Sequence, residues 1–171
     1  MMEKFFRLVD GVSDVVGRWA SFLVVILVIS IGYDIFMRYL FASPTFWAYD
    51  MTIMLFGTYS MLGAAYCHYR EGHVRMDLIY GTLSSRRRAT IDVICYIFLF
   101  FPLFTVLLYK CGEHAIWSLI QGERSSSSVW RPPLAPFKLT IAFGLLLFLL
   151  QGIVQFLRSL MIVLKGGERE S

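Results

Sequence analysis

Acidic and basic residues leave four long gaps along the chain. The gaps run from Trp19 to Tyr33, Met51 to Tyr69, Val93 to Tyr109 and Leu139 to Leu157, with lengths of 15, 19, 17 and 19 residues. A helix needs about 20 mostly apolar residues to cross a bilayer. Two gaps reach that length almost unaided. The third needs a residue or two at each end, and the first runs on through Asp34 to Tyr39. The pattern predicts an all-α integral membrane protein with four transmembrane helices, over about 17–40, 48–69, 91–112 and 137–160. They would form one membrane domain covering residues 1–171, with an outer loop over about 113–136.

A different pattern precedes the first gap. Phe5, Leu8, Val9, Val12, Val15, Val16 and Trp19 recur at helical spacing, while Lys4, Arg7, Asp10, Asp14 and Arg18 fall off that stripe. This predicts an N-terminal amphipathic helix over about 3–18, lying on the inner membrane surface and then turning into the first span. The segment is too long and too acidic for a cleaved signal peptide, so the first span reads as a retained helix.

Composition strengthens the membrane reading. Hydrophobic residues make up 57% of the chain and charged ones 16%, against about 25% charged in an ordinary soluble domain. A soluble bundle of four such helices would have too little polar surface for water. Charge then sets orientation. Lys4, Arg7, Arg18, Arg70, Arg75, Arg86, Arg87, Arg88, Arg158, Lys165 and Arg169 fall on one side; Arg38, Lys110, Arg124, Arg131 and Lys138 fall on the other. The richer side should be cytoplasmic, with both termini there. The net charge of +4 reads as orientation and lipid-headgroup contact, not nucleic-acid binding. Three cysteines without a C-x-x-C spacing do not make a disulfide framework.

Within the spans, Asp34 and Arg38 stand four residues apart, where they can pair on one helix face. Pro44 stops a helix, Trp47 suits an interfacial belt, and Asp50 suits a helix N-terminus. Gly57, Ser60, Gly63 and Ala64 offer a small-residue face in the second span, for packing inside the bundle or against another membrane subunit. Arg86, Arg87 and Arg88 read as a topology determinant that also meets lipid. Pro102 is expected to kink the third span. The serine- and proline-rich stretch from Gly122 to Pro136 should be exposed and irregular. Gln151 and Gln155 in the fourth span are expected to bond neighbouring helices.

Enzyme chemistry finds no foothold. The chain has no P-loop, G-x-G-x-x-G, H-E-x-x-H or nucleophile elbow. His68 and His114 would lie at opposite ends of their spans, too far apart to hold one haem, and Cys67, His68 and His73 match no zinc spacing. No cofactor is expected. The remaining classes are an accessory or scaffold subunit, a haem-bearing membrane anchor of an oxidoreductase, and a small homo-oligomeric exporter.

Three stretches carry a family resemblance. They are Arg38 to Asp50, including Trp47; Gly63 to Asp77, with Arg70, His73, Arg75 and Asp77; and Gly122 to Gly152, with Pro132, Pro133 and Pro136. Together they resemble the small membrane subunit of TRAP transporters, the DctQ-type family. This chain has Tyr49-Asp50 where the family usually has glutamate, and Ala135 where it has an aromatic residue. The resemblance implies a scaffold subunit in a bacterial inner membrane, paired with a large multi-span permease. A periplasmic solute-binding protein would deliver an organic solute, typically an anion, for ion-gradient-driven uptake. On this reading Asp34, Arg38, Trp47, Asp50, Gly57, Ser60, Gly63 and Ala64 are expected to dock the large subunit. Ser125, Trp130, Arg131, Pro132 and Pro133 are expected to meet the periplasmic partner.

Overall fold

The computed structural model describes residues 2–70 and 85–164. His73, Arg75 and Asp77 lie outside the described residues, as does the side chain of Arg86. The described chain is helical. Helix α1 spans Met2–Leu40, α2 Ala48–Tyr69, α3 Ser85–Cys95, α4 Phe101–Gln121 and α5 Ala135–Leu164. A widened π turn, Tyr96–Phe100, joins α3 to α4. By length and composition, three helical runs suit a membrane crossing: 6–40, 87–121 and 135–164. The 22-residue α2 is also long enough, but Thr52, Thr58, Ser60, Gly57, Gly63 and His68 dilute its apolar character.

The expected turn between a surface helix and the first span is absent. Residues 2–40 form a single helix. The reason lies in its buried face. Phe6, Val9, Ser13, Ala20, Leu27 and Ser30 are all buried, and their spacing keeps one helical stripe in register through Arg18. The N-terminal part of that stripe meets α5. Phe6 and Val9 pack with Val154, flanked by Leu150, Leu157 and Met161. Gly17 allows the close approach of α2, because a Cβ there would lie 2.4 Å from the Tyr66 Cβ.

Helix ends follow local chemistry. After α1, Ala42 takes a left-handed conformation (φ 48°), and Pro44 then prevents a return to helix. Pro102 has no N–H to offer the Phe98 carbonyl, and the π turn sits at that point. The helix then runs past residue 112 to Gln121, so the first part of the expected outer loop is helical. Gly122 stops it at φ 60°, while the Glu123 N–H donates to the Ser118 carbonyl at 3.1 Å.

Helix α5 is the hub. It packs on α1, α2, α3 and α4, while α1 and α2 pair with each other. Its glycines admit neighbouring atoms: a Cβ on Gly144 would lie 3.2 Å from the Met61 backbone, and one on Gly152 would lie 2.2 Å from the Phe100 ring. A second cluster gathers Ala65, Leu147 and Phe148, with Val16, Ala64, Phe100 and Phe104 against it.

Candidate functional site

Two carboxylates brace one end of the helices, where α1 leads into α2 and α4 into α5. Asp34, in the last turns of α1, accepts the Thr45 N–H at 3.1 Å and also the Thr45 hydroxyl. Arg38, one turn on, donates to it at 2.6 Å. The Asp34–Arg38 pair expected from spacing therefore forms, but its carboxylate also ties the α1–α2 loop to α1. Trp47 closes that loop from the other side, stacked on Tyr33 with ring centroids 5.9 Å apart.

Asp50 does the corresponding job for the last loop. It is only 4% exposed, in the first turn of α2. The Ser125 hydroxyl donates to it at 2.9 Å, and the Ser128 hydroxyl donates to its other oxygen. A carboxylate taken out of water needs such donors. Ser125 in turn receives the Ser127 N–H at 3.2 Å and sends its own N–H to the Pro132 carbonyl at 2.9 Å. Leu134 N–H reaches the Glu123 carbonyl at 3.0 Å. The serine- and proline-rich stretch is thus a folded loop: Ser125 and Pro132 are buried, and Arg131 holds a left-handed conformation at φ 48°. Lys138 of α5 donates to Glu123 at 2.5 Å and holds that carboxyl below its ordinary range. Trp130, Pro132 and Pro133 line a groove of about 320 Å³ with Met51, Met54 and Phe137.

The small residues of α2 divide. A Cβ on Gly57 would lie 2.8 Å from the Phe137 ring, and Ala64 packs on the Leu147–Phe148 cluster, so both serve α5 of the same chain. Gly63 has open space around its Cβ position, and Ser60 is half-buried. Arg70, at the other end of α2, donates from Nε to the Tyr66 hydroxyl at 3.1 Å. Arg87 is exposed and Arg88 half-buried.

Two features toward the opposite end escaped the reading by residue type. The first is a polar knot. Asp10, placed by its periodicity among solvent-facing charges, instead accepts Gln151 Nε2 at 2.9 Å and Arg158 at 2.5 Å. Ser13 donates to Gln151 Oε1 at 3.3 Å, and Gln151 is fully buried. The second is a cavity of about 320 Å³ between α2, the π turn and α5, walled by His68, Asp92, Tyr96, Phe100, Phe148 and Gln155 among others. The Tyr96 hydroxyl and His68 Nε2 are 3.0 Å apart. The expectation for Gln155 fails at one atom: its Nε2 is buried with no hydrogen-bond partner among the described residues. Among the described residues, no three His, Cys, Asp or Glu side chains gather closely enough to hold a metal ion.

This arrangement braces helices and holds the α1–α2 and α4–α5 loops in fixed shapes. No curated protein matches the sequence. A family model, "Tripartite ATP-independent periplasmic transporters, DctQ component", matches residues 27–161. That stretch takes in the end of α1, both braced loops and nearly all of α5. The chain belongs to the DctQ family, the small permease component of TRAP transporters.

Proposed function

We propose that the chain is a four-span scaffold subunit of a bacterial inner membrane, with α2 as the fourth span and both termini cytoplasmic. It stands beside a large multi-span permease and braces it during ion-gradient-driven uptake of an organic anion brought by a periplasmic binding protein. The match of residues 27–161 to the family model carries this reading. The geometry agrees with a brace. Neighbouring side chains or backbone occupy the close approaches at Gly17, Gly57, Gly144 and Gly152. The surface turned outward is apolar, with Phe22, Val25, Ile29 and Phe36 of α1 and Phe56 of α2 all exposed.

The docking face for the large subunit runs along α1 and α2 past Gly63 and Ser60 to Arg38 and Trp47 near the outer end. Asp34 and Asp50 act from behind it by fixing the loops. The groove at Trp130, Arg131, Pro132 and Pro133 faces the binding protein. The basic residues Arg70, Arg75, Arg86, Arg87 and Arg88 hold the inner end at the headgroups, with His73 and Asp77 between them in sequence.

Uptake tests this reading. Membrane vesicles from cells with and without the chain are given labelled dicarboxylates or sialic acid, the periplasmic extract and an imposed sodium gradient. Uptake should vanish without the chain and return when it is resupplied. Liposomes holding only this chain should take up nothing. Transport by the chain alone would contradict the scaffold role and favour an exporter.

A further inference from the structure

The cavity beside the π turn is left open by the side chains of the described residues, and its lining is mixed in a specific way. Leu99, Phe100, Leu103, Phe104 and Phe148 give it hydrocarbon walls. Gln155 contributes a donor. The residue is 7% exposed, and its Nε2 has no partner. A buried donor left unpaired costs about 1–3 kcal/mol, so such an atom calls for an acceptor. His68 and Tyr96, also in the wall, already face each other at 3.0 Å.

Depth identifies the acceptor. Gln155 lies about 30 Å along α5 from Ala135, and His68 about 30 Å along α2 from Ala48. That length equals the hydrocarbon thickness of a bilayer. The donor therefore stands where acyl chains end and ester carbonyls begin. Beyond it, Arg88 precedes Asp92 by one turn on the α3 face that also carries Cys95 and Leu99. A guanidinium there suits a phosphate. The volume is at the lower end of small-molecule sites, enough for part of one chain and its ester.

We infer that this cavity is a glycerophospholipid site: one acyl chain lies against Phe100, Phe104 and Phe148, its ester carbonyl accepts Gln155 Nε2, and its phosphate meets Arg88. The π turn serves the site by setting Tyr96 and Phe100 apart from the regular helical path, as such turns do at functional positions. The site rests on the membrane-spanning reading, with the inner ends of α2 and α5 at one leaflet.

The test uses the chain purified in mild detergent together with whatever accompanies it. Retained lipid is counted by native mass spectrometry after graded washing, with dioleoyl phosphatidylglycerol and dioleoyl phosphatidylethanolamine added back. Wild type should keep about one phospholipid per chain. Gln155→Leu, which fills the space without a donor, should lower retention by about five- to tenfold. A photocrosslinking residue at Leu103 should capture a phospholipid. Equal retention by wild type and Gln155→Leu would overturn the site. So would capture of a polypeptide at position 103, which would make the cavity a socket for a partner helix. The same preparation separates the two readings. Gln155-dependent lipid without a large permease overturns only the subunit role, and a permease without such lipid overturns only the site.

Discussion

Helix α5 and the run through α3 and α4 are alike as sequences and opposite as structures. Both are long and apolar enough to cross a membrane, yet 44% of the most apolar stretch of α5 is buried, against none of the other's. Hydropathy places both in a bilayer and cannot tell them apart. What separates them is small and polar residues at helical spacing. Helix α5 has Gly144, Gln151, Gly152 and Gln155, all buried. The other run turns Phe98, Leu99, Leu103 and Val106 outward. In lipid, where burying a leucine gains little, close packing and hydrogen bonds decide which face meets protein.

Paired substitutions test that contrast. The largest effect should come from cavities. Leu145→Ala, at a fully buried position, should cost about 2–4 kcal/mol of stability, whereas Leu99→Ala, at a 70% exposed one, should cost under about 0.5 kcal/mol. Reversible unfolding in detergent micelles measures both, and equal costs would erase the distinction between the helices. Next comes overpacking. Gly152→Leu drives into the Phe100 ring and should cost about 1–3 kcal/mol, while Gly112→Leu has open space and should be neutral or slightly stabilising.

A third test concerns the joint between the two helices, which Asp50 pins. Asp50→Ala strands two serine hydroxyls and frees the loop at 123–134. It should raise amide exchange there and reduce recovery of the assembled complex, while membrane insertion stays normal. A fully assembled, transport-competent Asp50→Ala complex would remove Asp50 from the account.

The smallest effect is electrostatic. Lys138 holds the half-buried Glu123 carboxyl below its ordinary value of 4.5. Its contribution is therefore complete above that value and is lost as pH falls through the lower folded value. The protection factor of the Leu134 amide, which bonds the Glu123 carbonyl, taken relative to intrinsic exchange at each pH, should stay constant from about pH 7 to pH 5 and fall only in more acidic solution. Glu123→Gln should abolish that acid step.

The helices were legible because a charge-free run of about 20 residues has few alternatives. The charge-free run from Met51 to Tyr69 falls inside the helix Ala48–Tyr69. The N-terminal helix is misread because the apolar stripe and the buried face differ: Leu8, Val15 and Trp19 of the stripe are exposed, while Phe6, Val9 and Ser13 are buried by partners that no local pattern reveals. The partners that settle it, Val154 and Gln151, lie more than 130 residues away. Asp10 was misread for the same reason. Asp50 drew attention as an N-terminal charge, but its donors are separated from it by 75 and 78 positions. Pro102 did signal an irregularity, because its missing N–H is a local fact. The cavity at Gln155 had no sequence signal, since an unpaired amide is defined by what surrounds it.

Gentle-detergent purification of the tagged chain from its native membrane, with mass spectrometry of the accompanying proteins, tests the subunit role most directly. A large multi-span permease in near-equal amount is the expected result. Recovery of the chain alone, or with haem and a redox subunit, would contradict it.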